Sequence, residues 1–130
     1  MSAESTFMHL LESLIDTTKN LHAKYNPDAT SVKTCDELLA HVRVAEETHS
    51  QKALEIFRKC IEGQEQYIET KDDCFLKRAE EVFCGQYYAN AHLLPIWDQV
   101  SVSEKDAVWK IYRRAMKACM KIASQSWIDH

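Results

Sequence analysis

Glu46 and His49, three residues apart in the stretch HVRVAEETHSQ (41–51), are the pair in this chain whose types and spacing best suit chemistry. On a helix, Glu-x-x-His sets a carboxylate and an imidazole one turn apart on the same face. That is half of what a di-metal centre inside a helical bundle requires; the rest is a second such pair and one carboxylate from each of two further helices. No second pair is present. At about 100° per residue, Glu46 falls roughly 40° to one side of Val42 and His49 roughly 20° to the other, inside an apolar stripe. A carboxylate carried into a core is costly unless it is paired, hydrogen-bonded or bound to metal.

The facing helices offer little to a metal. At the same level the expected inward residues are Gln86, with Asn90 a turn further on, and Tyr112. Neutral amides are poor substitutes for bridging carboxylates. The expectation is therefore a buried polar layer of Glu46, His49, Gln86 and Tyr112 that fixes helix register, with no cofactor. The alternative is an Fe, Mn or Zn ion on Glu46 and His49, completed by His9, His41 or His92, in a bundle of ferritin-like or hemerythrin-like design.

Other chemistry is weaker. The five cysteines form no C-x-x-C and are odd in number, which predicts reduced thiols in a reducing, intracellular compartment. Cys35, Cys60 and Cys119 fall on apolar stripes, where a thiol behaves as a small hydrophobe. Gly-rich phosphate loops, G-x-S-x-G and H-E-x-x-H are absent from the sequence, so no catalytic residue is assigned. Lys110, Arg113, Arg114, Lys117 and Lys121 share the outer face of the last predicted helix, a basic stripe that suits an acidic partner or a phosphate backbone. Trp97 and Trp127 stand at element margins, where partial exposure would make them interface anchors.

The elements that position these residues are helices. The chain has 130 residues but only two Gly and two Pro, where average usage gives roughly fifteen. Apolar residues recur every three to four positions, with almost no strict alternation. The pattern predicts helices over about 3–25, 32–62, 72–94 and 103–127. The first ends at Asn26-Pro27-Asp28, because proline cannot continue the hydrogen-bond ladder. The second opens on a capping box at Thr34–Glu37, the third runs to Pro95, and the fourth opens on a cap at Ser103 with Val102 stapled to Ala107. Short connections make neighbours antiparallel, giving an all-α, single-domain antiparallel four-helix bundle.

Composition narrows function without naming it. Hydrophobic residues make up 45% and charged residues 28%, an ordinary globular balance. A formal charge of -4 gives no reason to expect nucleic acid as a global partner. No apolar run approaches the roughly 18 residues a membrane span needs. The leading expectation is a non-enzymatic module for protein–protein interaction, scaffolding or assembly, with a protein partner or a second copy of itself. Metal or small-ligand binding through Glu46 and His49 is second. Binding of nucleic acid or an acidic partner by the basic face is third.

Overall fold

The computed structural model describes residues 3–27, 29–48, 50–81 and 91–128; the side chains of 3, 29, 46–48, 50 and 123–128 lie outside that description. The elements are α1 (Ala3–Tyr25), α2 (Ala29–Thr48), α3 (Ser50–Ile61), α4 (Glu65–Glu69), α5 (Asp73–Ala79), a 3-10 helix over Leu94–Gln99, and α6 (Val102–Ile128). No strand occurs among the described residues, so the fold is all-α there.

The four expected long helices are matched in part among the described residues. α1 has its predicted bounds, and α6 exceeds its own by one residue at each end. α2 and α3 together cover the segment expected as one helix over 32–62 but for residue 49, which lies outside the described residues, and residue 62. Of the helix expected over 72–94, α5 covers Asp73–Ala79, Glu80 and Glu81 carry the helix on with π-type bonding, residues 82–90 lie outside the described residues, and His92 is not helical. Leu93 is buried and Leu94 half-buried, but Leu94 opens a 3-10 helix with Pro95 in its first turn. A missing amide hydrogen costs little there, because first-turn amides have no intrahelical acceptor.

Packing centres on α1, which lies along both α2 and α6 and also touches α3 and the 3-10 helix. Its stripe of Phe7, Met8, Leu11 and Leu21 joins Leu54, Phe57 and Cys60 of α3, Phe75 and Leu76 of α5, and Val108, Trp109 and Tyr112 of α6 in the main core. Phe7 meets Phe57 edge-on, with ring centroids 5.1 Å apart. Ile15, Cys35, Leu39 and Ala91 form a smaller cluster between α1 and α2. Buried thiols fit here as apolar filler: burial pushes those of Cys35 and Cys60 up to about 11, far from the reactive thiolate.

Helix ends are closed by specific groups. Gly63 has φ 74° just past α3, a left-handed position where a side chain would be strained. Lys71 takes the same region after α4 with φ 57°. The Asp72 amide donates to Tyr67 O at 2.8 Å and the Lys71 amide to Ile68 O at 3.3 Å, the paired bonds of a Schellman ending. The Arg78 guanidinium donates to Cys60 O at 2.9 Å and Lys59 O at 3.0 Å, covering the electronegative end of α3.

Both predicted caps need correction. The Thr34 hydroxyl donates to Thr30 O at 2.8 Å inside α2, which already began at Ala29. At α6 the cap is Ser101: its hydroxyl accepts from the Glu104 amide at 3.2 Å, and Glu104 Oε1 accepts from the Ser101 amide at 3.1 Å. Val102 is 76% exposed and staples nothing. Ser101→Ala is expected to cost about 1 kcal/mol in urea denaturation, whereas Ser103→Ala changes little. Equal losses from the two would remove this assignment.

Candidate functional site

The predicted polar layer falls largely outside the described residues. Glu46 belongs to α2, but its side chain lies outside the description, as do His49, Gln86 and Asn90. Tyr112 is described: it is buried, with its ring edge-on to Phe75 at 5.1 Å. Among the described residues, no three His, Cys, Asp or Glu side chains gather as metal ligands would.

A different polar cluster occupies the interior, where the chain returns to the core at residues 91–94. Glu80, directly after α5, is 6% exposed. Its Oε1 accepts from the Leu93 amide at 2.5 Å and the Leu94 amide at 3.0 Å, while Oε2 lies 3.6 Å from His92 Nδ1. One carboxylate thus satisfies two amides at the start of the 3-10 helix. Burial still dominates its proton affinity, raising the carboxyl above its ordinary value despite the two amides and the nearby imidazole. Sequence reading missed Glu80, although it stands four residues after Leu76, on the inward side of α5.

His22 of α1 meets the same segment. It is 2% exposed, and its Nε2 lies 3.0 Å from His92 O. A carbonyl can only accept, so Nε2 carries the proton and donates. That leaves Nδ1 as a lone-pair atom, buried and without a hydrogen-bond partner; His92 Nε2 is likewise buried without one. Burial holds the His22 imidazole below its usual value of 6.5. The folded form therefore resists protonation. The contribution of neutral His22 to stability is full above pH 6.5 and is lost as pH falls below it. Chemical denaturation across about pH 8 to 5.5 is expected to show a shallower acid-side decline in His22→Leu than in the parent chain; parallel curves would remove His22 as a contributor.

Beside this cluster lies a cavity of about 80 Å³ between α1, α2 and the end of α5, with Tyr112 of α6 in its wall. Leu11, Leu14 and Ile15 on one side and Cys35, Leu38 and Val42 on the other make it apolar. Thr18 and Glu80 supply polar atoms, and the Thr18 hydroxyl donates to Leu14 O at 2.8 Å.

The basic face of α6 is partly as expected. Lys110, Arg114, Lys117 and Lys121 are exposed, and none is in an ion pair within 4.0 Å among the described residues. Arg113 is withdrawn from them: it is half-buried and donates to Glu69 O at 3.1 Å, closing the end of α4. Met120, 51% exposed, flanks the stripe.

Trp97 is not an exposed anchor. It is 3% exposed, its indole N–H donates to Asp73 Oδ1 at 2.8 Å, and its ring meets Trp109 at 6.3 Å. The turn folds back over the core because the indole body gains apolar contact while its N–H finds an acceptor. The Trp127 side chain lies outside the described residues. No helix among the described residues is long and apolar enough to cross a membrane. Searches for likeness found no matching family model, no matching curated protein and no matching solved structure.

Proposed function

We propose that the protein is a non-enzymatic helical interaction module that holds an acidic protein surface against the outer face of α6. The reading rests on the stripe of Lys110, Arg114, Lys117 and Lys121, exposed on one helix face without ion-pair partners among the described residues. Cations left unpaired on a chain of net charge -4 form a local field that steers an acidic surface into register. α1, α2, α3 and α6 supply a bundle-like scaffold behind that face, and free thiols suit a reducing compartment.

The test is charge reversal at Lys110, Arg114 and Lys117 together, with bound proteins from the native host compared at low salt and at about 0.5 M salt. The expected result is a protein partner held by the parent chain at low salt, released by salt, and retained at least about tenfold less by the variant. Undiminished retention by the variant sinks the proposal. So does tighter binding of the parent chain to duplex DNA than to any host protein.

A further inference from the structure

We infer that the cavity between α1, α2 and the end of α5 is a binding site for a small primary amine with a branched or linear alkyl body. Its volume of about 80 Å³ is about half of the roughly 150 Å³ that takes a six-atom benzene ring, so it seats the head group and the first two or three carbons of the amine, with the rest of the alkyl body toward the entrance. The wall is dominated by Leu11, Leu14, Ile15, Leu38 and Val42, which match an alkyl chain and give nothing to a polar one. Of the described lining residues only Glu80 carries a formal charge. That charge selects the head group.

The carboxylate of Glu80 is held in place from behind. Both backbone amides it accepts from, Leu93 and Leu94, bond to Oε1, while among the described residues Oε2 has only the His92 ring at 3.6 Å, beyond hydrogen-bond reach. An ammonium group is the partner such an oxygen lacks, since a buried carboxylate gains most from a cation that also donates a hydrogen bond. An alcohol offers the hydrogen bond without the charge. A carboxylic acid, ionised, would set two like charges together. Leu14, Leu38 and Val42 are half-buried, which places the entrance between α1 and α2. This site shares no residue with the basic face of α6, so its fate is independent of the interaction proposed there.

Three probes of one body and different heads decide the matter: isoamylamine, isoamyl alcohol and isovalerate, titrated by NMR into the full chain at neutral pH. The amine is expected to saturate, the alcohol to bind at least about tenfold more weakly, and the acid not to bind. Glu80→Gln is expected to remove the preference of amine over alcohol. Val42→Phe, which fills the entrance from a half-buried position, is expected to abolish binding of both while leaving the circular dichroism spectrum unchanged. Should Glu80→Gln fail to fold, the comparison of the three probes and the Val42→Phe variant still decide. Equal or tighter binding of the alcohol, absence of saturable amine binding, or amine binding that survives Val42→Phe would each overturn the assignment.

Discussion

Phe75→Ala is expected to destabilise the protein by about 3–5 kcal/mol, the range for truncating a fully buried aromatic ring. Phe75 is fully buried and meets two α6 rings, Tyr112 edge-on at 5.1 Å and Trp109 at 6.2 Å. Trp109 in turn meets Trp97 at 6.3 Å, so one side chain of a seven-residue helix ties α5, the 3-10 helix and α6 together. Removing it leaves a cavity and also loses the aromatic pair energy of about 0.5–1.5 kcal/mol per contact. Against a total stability of about 5–15 kcal/mol that loss is a large fraction. Phe75→Leu keeps most of the volume and should recover more than half of the loss. The check is the midpoint and slope of urea unfolding; a change below about 1 kcal/mol for the alanine variant would mean that α5 is not part of the cooperative core.

The second large effect is at Glu80, and it depends on which residue replaces it. Glu80→Ala strands the Leu93 and Leu94 amides, and an unsatisfied buried amide costs about 1–3 kcal/mol, giving a loss of about 2–4 kcal/mol once partial exposure of Leu94 is allowed for. Glu80→Gln keeps an accepting oxygen in the same place and is expected to cost less than about 1 kcal/mol at neutral pH. The pH dependence carries a definite sign. Because burial raises the folded-state value above the ordinary 4.5, the contribution of Glu80 is fully present below pH 4.5 and is lost as pH rises through the raised value. The Gln variant, having no proton to lose, should therefore gain on the parent chain as pH rises from about 4.5 to neutrality. A Gln variant as damaged as the Ala variant would show that charge, rather than the accepting oxygen, holds the 91–94 segment.

Glu104 acts in the opposite sense and belongs to the same acid range. It accepts from the Tyr25 hydroxyl, from Lys24 Nζ at 3.2 Å and from the Ser101 amide at 3.1 Å, joining the end of α1 to the start of α6. These bonds, that of Tyr25 foremost, hold its carboxyl down at about 2. Its contribution is present above pH 4.5 and disappears as pH falls toward about 2. The acid limb of the stability curve thus sums a gain at Glu80 with losses at Glu104 and His22, which is why single-site variants are needed to separate them.

Local information sufficed for α1 and α6. Their apolar residues recur with the helical period over more than twenty positions, and a backbone bonded to its own fourth neighbour needs nothing distant to settle its bounds. The capping box at Ser101 and Glu104 was equally local; a serine just ahead of α6 and a glutamate three residues on, in its first turn, carried it, and choosing Ser103 misplaced the cap by two positions. Thr18 and His22 lie seven and eleven residues beyond Leu11, in step with the apolar stripe of α1, and both are buried.

What sequence could not decide was which polar residues the core would accept. A periodic pattern places Glu80 on the inner side of α5, but the cost of burying it is offset by amides thirteen and fourteen residues further on, and only the folded chain brings those amides near. The same holds for Trp97, covered because Asp73 supplies an acceptor twenty-four residues away, and for Arg113, drawn off the basic stripe by a carbonyl forty-four residues away. Helical periodicity is a property of neighbours. The satisfaction of a buried donor or acceptor depends on distant partners, and tertiary packing alone settled it here.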